Sequence, residues 1–351
     1  MVIAAVDSRY RVLNAFAGPG GWDVGAQIIG LPEQILGADI DEVACTAAIS
    51  AGFHRQVGDV CELNPADFPH VKGFIASTPC PTFSTAGRRS GLGDDYQRVL
   101  DVITHVGSSD CDCPWEEIIT ELDDIADPRT ALAAQTIRFA MALPNVEWLA
   151  FEQVLAAEYM FDDLAAEFYY WGWESVDVFT VDAAYLGLPL RRKRVFLTAS
   201  RYTPHGCADS HPMVARMAER SPAQVLGWPA GEMIRTRGNR RNTGGNLFSA
   251  DRTGWCATEK MRSWCRDSDG LRFEPSESGL LQGFRADYPW TGSRTRQFHQ
   301  LADVVCPPVA AAVLGHVTNR PWKRPVQDYL SNLYRTPRNG QSDERAQLEA
   351  G

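Results

Sequence analysis

Between residue 11 and about residue 200, short apolar runs alternate with stretches whose apolar positions recur at helical spacing. RVLNAF (11–16), QILGADI (34–40), FIASTP (74–79), WLAFEQV (148–154) and RVFLTA (194–199) predict strands. Continuous apolar runs bounded by turn residues mark strands covered on both faces. A glycine turn after the first run leads into a helix near Trp22, and helical periodicity is clearest in TALAAQTIRFAMAL (130–143). Strands alternating with helices predict an α/β fold, a mostly parallel sheet with helices on both faces.

The pattern fades after about Arg201. Residues 202–270 are rich in Gly, Pro, Asn, Arg and Trp, with little periodicity. This change predicts a small loop-rich domain over 201–290, set into a larger domain built from 1–200 and 291–322. Apolar helical spacing returns in VVCPPVAAAVLGHV (304–317), and the segment 323–351 is polar and expected to fray as a C-terminal tail.

Charge changes the picture by its distribution. The chain of 351 residues carries a formal net charge of −10. Residues 93–127 hold eleven acids against the single base Arg98, and so account for the whole excess. This stretch is expected to be an acidic insertion with a solvated face, or else a surface for a protein partner. Residues 233–272 hold nine Arg or Lys against four acids. A basic surplus there is what a phosphate-tracking surface requires, although a solvated mixed-charge face has the same composition.

No apolar run is expected to cross a membrane, and the N-terminus lacks the basic and apolar regions of a signal peptide. Nine cysteines at irregular spacing suit free thiols in a reducing cytoplasm. Cys111-x-Cys113 has no second ligand pair nearby, so no metal site is expected.

Candidate chemistry collects where the predicted strands end. Phe16-Ala17-Gly18-Pro19-Gly20-Gly21 links a strand to a helix; its glycines allow a tight turn and close approach of backbone N–H groups to an anionic ligand. Asp39 ends the second strand, where a carboxylate can take ribose hydroxyls, and Asp59 could accept from an adenine amino group. Cys80 follows FIASTP between two prolines, poised at a strand-to-loop junction. Glu152 ends WLAF, where burial can keep a carboxyl protonated near neutral pH. Arg192 and Arg194 precede VFLTA and could hold phosphate or a base.

Taken in order, these segments resemble the cytosine-C5 DNA methyltransferases over about residues 1–320. FAGPGG is similar to the family's FxGxG cofactor loop, and Asp39-Ile40 to its acid and adenine-stacking neighbour. PCPTFS is similar to the PCQxFS nucleophile loop, and Asp127-Pro128-Arg129 with Leu132 to the DxR segment. Phe151-Glu152-Gln153-Val154 resembles the ENV motif, and Leu190–Arg194 the QxRxR motif. ESGLLQGF (277–284) resembles the RE…LQGF segment, and Gln300–Val305 the closing QxGNxV motif. The departures are Ile40 for Trp, Gln153 for Asn, Leu190 for Gln, and Ala302-Asp303 for Gly-Asn.

The resemblance implies a Rossmann-like methyltransferase fold and S-adenosylmethionine as cofactor. Phe16, Ala17, Gly18, Gly20, Gly21, Asp39, Ile40, Asp59, Val60, Pro79, Leu132, Asp303 and Val305 would hold it. Cys80 would be the nucleophile and Glu152 the acid. Arg194 would hold the base, and Arg192 would support the cysteine and its loop. Ser84, Arg235, Arg237, Arg240, Arg241 and Arg252 would contact double-stranded DNA, with target recognition over 201–290. The implied protein is a monomer in a bacterial cytoplasm or phage-infected cell, serving restriction–modification or phage DNA modification. An RNA (tRNA) cytosine-C5 methyltransferase and a catalytically impaired DNA-binding relative are the alternatives.

Overall fold

The computed structural model describes residues 7–79, 94–107, 115–125, 127–202, 209–237 and 245–335. Its centre is a seven-stranded sheet in the order β3-β2-β1-β4-β5-β7-β6. The strands are β1 (Tyr10–Ala15), β2 (Gln34–Asp39), β3 (His54–Val57), β4 (Gly73–Ala76), β5 (Trp148–Gln153), β6 (Ser175–Asp182) and β7 (Lys193–Ser200). The first five run parallel, and β7 is antiparallel to both of its neighbours. This is the mixed α/β architecture expected, with two strands outside the apolar runs: β3, which is short and largely exposed, and β6, whose polar positions Asp177 and Thr180 interrupt the pattern.

Alternate residues of each central strand feed opposite faces. Leu13, Phe74 and Leu149 pack with Ile137 and Phe139 of α5 (Pro128–Ala142) and with Leu164 and Phe168 of α6 (Glu158–Tyr170). Val12, Ile75 and Ala150 pack with Trp22 of α1 (Gly21–Ile28) and with Val309, Val313 and Leu314 of α10 (Pro307–Val317). Burial on both faces explains why the strands read as continuous apolar runs.

The acidic segment carries Asp101, Glu117, Glu121, Asp123 and Asp124 on an exposed face, while Val99, Val102 and Ile103 of α3 (Asp94–Gly107) and Ile118 and Leu122 lie in the core beside α5. Two expectations are corrected here. The segment after residue 323 does not begin as a frayed tail. Lys323–Leu333 forms α11, which buries Val326 and Leu330, with Trp322 buried just before it. The run Arg294–Val317 does have the length and hydropathy of a membrane span. It is nonetheless two helices, α9 (Arg294–Asp303) and α10, interrupted at 304–306, and 83% of its apolar window is buried inside the fold.

The second sheet is small and antiparallel, in the order β10-β8-β9: β8 (Met233–Arg235), β9 (Leu247–Ser249) and β10 (Cys265–Arg266). Ile234, Trp264 and Phe273 form its core together with Leu281 of α8 (Pro275–Leu281) and Phe298 and Leu301 of α9. The segment after β9 meets the segment before β7, where Gly254 donates to Pro189 O at 2.8 Å and accepts from Arg191 N at 3.0 Å. Ala215, within the stretch assigned by sequence to the small domain, packs instead with α10.

Candidate active site

The carboxyl ends of β1, β2, β4 and β5 meet on one edge of the sheet, the usual place for a ligand in such folds. The glycine turn is the floor there. Phe16 at φ +56° and Gly18 at φ +54° adopt the left-handed conformation, rare for a residue with a side chain. A Cβ at Gly21 would collide with the Val305 carbonyl, so only glycine lets α1 start this close to the 304–306 turn.

The turn is braced from below. Arg55 of β3 makes a bidentate pair with Asp23 of α1, at 3.1 and 2.6 Å, with side-chain exposures of 0% and 3%. Its Nε also donates to Gly18 O at 3.3 Å. Tyr288 donates its hydroxyl to Pro19 O. Asp39 receives Gly18 N and Asp41 N on its two oxygens, both at 2.8 Å. Burial pushes the Asp39 carboxyl up, and these two N–H donors oppose the shift. Asp59 caps the following turn through Cys61 N at 2.9 Å.

Above the turn lies a cavity of about 400 Å³. Phe16, Ala17, Gly18, Gly21, Asp39, Ile40, Asp59, Val60, Pro79, Leu132, Asp303 and Val305 line it, together with Glu152, Arg192 and Arg194. Among the residues expected around a cofactor, Gly20 alone is not part of the lining; it caps α1, with its Cα facing Tyr288 and Phe53. Ile40 is 69% exposed, an apolar side chain left uncovered at the rim. Asp303 is accessible from the cavity, yet the enclosing walls push its carboxyl up.

Glu152 sits at the inner wall. Arg194 Nε approaches its Oε1 at 3.0 Å, and Ser77 lines the same cavity. Burial is the largest influence and raises its pKa; Arg194, Arg192 and Ser77 work against that rise. Arg192, also buried, donates to Ala302 O at 2.8 Å and to Ala257 O at 3.4 Å, tying the end of α9 to the small domain. Gln153 Nε2 donates to Thr78 O at 3.0 Å and to Thr78 Oγ1 at 3.1 Å. Cys80, Ser84, Arg240 and Arg241 lie outside the described residues.

Residues 10–106 match the family model for the C-5 cytosine-specific DNA methylase. An orphan methyltransferase of Bacillus phage SPbeta, M.SPBetaI, is 30% identical over 89 residues, 24% of this chain and 20% of that protein. The chain thus aligns with about a fifth of the length of such phage and Bacillus relatives. The type II methyltransferase M.AplI of Arthrospira platensis is 22% identical over 93% of this chain and 92% of its own. Two solved folds are similar: the S. pombe Dnmt2 methyltransferase, with a TM-score of 0.63 and 18% identity over 88% of this chain and 98% of that one, and a Spodoptera frugiperda DNMT2 mutant, at 0.62 and 16% over 88% and 99%.

The arginines expected on DNA differ in their surroundings. Arg235 is half-buried and bound to Asp267, with Nε to Oδ1 at 2.8 Å. Arg237 and Arg252 are exposed. Sequence reading missed Asp23, Arg55, Tyr288, Ser77 and Trp22 as supports, and Arg296 and His299 in the cavity wall. Ser77 was within reach, since it lies between the strand FIA and Pro79. Arg55 left no signal, because an ion pair across 32 residues has no periodicity.

At the opposite end of the sheet, Asp177 Oδ2 lies 3.1 Å from His316 Nε2 and 3.4 Å from His211 Nε2, a grouping with metal-ligand types. Met213 N donates to His211 Nδ1 at 3.2 Å, which puts the neutral ring's proton on Nε2, facing the carboxylate. The arrangement is a hydrogen-bonded brace between β6, the 209–214 segment and α10. The two histidines hold Asp177 well below the usual carboxylate range.

Proposed function

We propose that this chain transfers a methyl group from S-adenosylmethionine to carbon 5 of a cytosine in double-stranded DNA, through a covalent bond from Cys80 to carbon 6. One observation carries the reading. Glu152 and Arg194, the strapped end of β4 that leads into Cys80, and the glycine turn all open onto a single cavity.

The residues present suit the cofactor. The turn keeps glycine where a side chain would strike backbone, Asp39 ends β2 and Asp59 follows β3, and Ile40 offers an uncovered apolar surface beside them. When bound, S-adenosylmethionine supplies an electrophilic methyl group.

Cytosine carbon 5 is too weakly nucleophilic to take that methyl unaided. The Cys80 thiolate forms a bond to carbon 6, while Glu152 in its acid form gives its proton to N3 and so neutralises the charge that develops on the ring. Carbon 5 gains the methyl. Loss of the carbon 5 proton to water then drives out the Cys80 sulfur as thiolate, N3 returns its proton to Glu152, and aromaticity is restored. The pushed-up carboxyl of Glu152 is matched to that donation. Arg194 holds the carboxyl in place and faces the base. The target atom lies inside the duplex, so the base must leave the stack, at a cost of roughly a few kcal/mol.

Incubation with labelled S-adenosylmethionine and either duplex DNA or tRNA tests the substrate. Label on carbon 5 of DNA cytosine supports the reading; label on tRNA alone overturns it.

A further inference from the structure

The helix α9 lays one polar face along the cavity: Arg296, His299, Gln300 and Asp303 all line it. The N-terminal end of that face is tied to the rim by a long-range ion pair. Arg296 Nη2 donates to Asp41 Oδ1 at 2.7 Å, across 255 residues of sequence. Asp41 caps α2 (Glu42–Ser50) with the same oxygen, which also accepts from Val43 N at 3.0 Å and Ala44 N at 3.3 Å. Its own N–H donates to Asp39 Oδ1 at 2.8 Å. The chain entering α9 is docked on the same helix start. Thr291 donates its hydroxyl to Val43 O at 2.7 Å, and a Cβ at Gly292 would strike the Val43 side chain. Asp39, Ile40, Asp41 and Arg296 are therefore held together at one side of the cavity.

Asp39 and Asp41 are both engaged, and the residue between them is not. Ile40 leaves 69% of its surface uncovered beside a concave lining, where a flat apolar body would bury it with a gain in free energy. Its branched chain offers hydrophobic area but no plane. Arg296 supplies the plane. A guanidinium is flat, weakly hydrated and stacks on aromatic faces, which a compact ammonium does not do. Asp41 offsets its charge, so a ligand that carries a sulfonium is not repelled. The Arg296 side chain remains 46% exposed, which leaves area for a ligand to cover.

We propose that Arg296, pinned by Asp41, is a cofactor-binding residue whose guanidinium stacks on the adenine of S-adenosylmethionine beside Ile40. The inference rests on the function proposed above, which assigns that cofactor to the cavity. It commits the base to the rim between the starts of α2 and α9, with the ribose next to Asp39. It also sets Arg296 apart from the two other anions an arginine at this mouth could take, the carboxylate of the methionine end and a DNA phosphate.

The test is calorimetric binding of S-adenosylhomocysteine, and of 5′-methylthioadenosine, which keeps the nucleoside and lacks the amino-acid end, to the full chain. Arg296→Ala should weaken both roughly threefold to thirtyfold, and by the same factor, since the loss lies at the base. Arg296→Lys keeps the charge and loses the plane, and should fall nearly as far. Ile40→Trp, which puts a plane on the neighbouring segment, should win back part of the Arg296→Ala loss when the two are combined. An exposed ion pair contributes little to folding, so the melting temperature of unliganded Arg296→Ala should match wild type while the rise produced by S-adenosylhomocysteine shrinks.

Unchanged affinity for S-adenosylhomocysteine in Arg296→Ala overturns the proposal. So does full affinity in Arg296→Lys, which would make the contact one of charge. A loss seen with S-adenosylhomocysteine and absent with 5′-methylthioadenosine would put the arginine on the carboxylate, and weakened DNA binding with cofactor affinity intact would put it on phosphate; either overturns it. If wild type binds neither compound, the cofactor reading above fails as well, whereas a wild type that binds both leaves that reading standing whichever way Arg296 answers.

Discussion

Gln153 holds Thr78 by two atoms: its side-chain nitrogen donates to the Thr78 carbonyl at 3.0 Å and to the hydroxyl at 3.1 Å. Its oxygen accepts from Val154 N at 2.8 Å, so the whole amide is satisfied in a site 1% exposed. Thr78 stands two residues before Cys80. The longer glutamine therefore straps down the approach to the nucleophile, at a position where the family resemblance calls for asparagine.

Gln153→Ala should leave the buried Thr78 carbonyl without a donor, at about 1–3 kcal/mol of stability. Methyl transfer should fall by more than binding does, since the loop loses its anchor and the cofactor floor does not. Urea unfolding and a comparison of kcat with KM check both parts. Gln153→Asn, one methylene shorter, should recover only part of the loss.

The Arg55–Asp23 pair lies beneath the glycine turn with both side chains buried. Removing one partner strands the other charge, so Arg55→Ala or Asp23→Ala should cost about 3–5 kcal/mol. Cofactor affinity should fall with it, because Arg55 also holds the Gly18 carbonyl. Chemical denaturation and calorimetric binding of S-adenosylmethionine measure the two effects.

Much of this site could be read before any coordinates, for a definite reason. Residues that end parallel strands fall on one edge of the sheet, so locating the strands located Phe16, Asp39, Pro79 and Glu152 together. What escaped has no local signature. Arg55 sits in His54–Val57, a short strand with largely exposed positions, and its value depends wholly on Asp23. The helix α11 was hidden by its charged surface, although Trp322, Val326 and Leu330 recur at one helical face. Strands of two or three residues, as in the small sheet, are too short to show any alternation. Composition likewise cannot reveal that Asp267 engages Arg235.

Burial raises the Glu152 carboxyl, and the acid form is the one that donates. The direction of the pH effect follows: the rate should be sustained below the raised pKa and decline as pH climbs through it. Glu152→Gln cannot give up a proton, and should lose roughly a hundredfold to ten-thousandfold in single-turnover rate, with no basic limb left. A pH–rate profile of both proteins is the check.

The exposed Arg252 and the engaged Arg235 should respond differently to alanine. Arg252→Ala should weaken DNA binding and reduce the salt dependence by about one phosphate contact. Arg235→Ala should instead lower stability, as Asp267 loses its partner, and leave the salt slope little changed. Binding isotherms across a salt series, with a thermal melt of each variant, separate the two.

The account stands on a bond between the sulfur of Cys80 and carbon 6 of the base. Duplex DNA carrying 5-fluorocytosine cannot release its carbon 5 substituent, so the adduct should accumulate when S-adenosylmethionine is present. Intact mass spectrometry should show wild-type protein joined to methylated DNA, and Cys80→Ser protein with no added mass. Absence of the adduct with wild type across DNA of varied sequence, or the same adduct with Cys80→Ser, would contradict it.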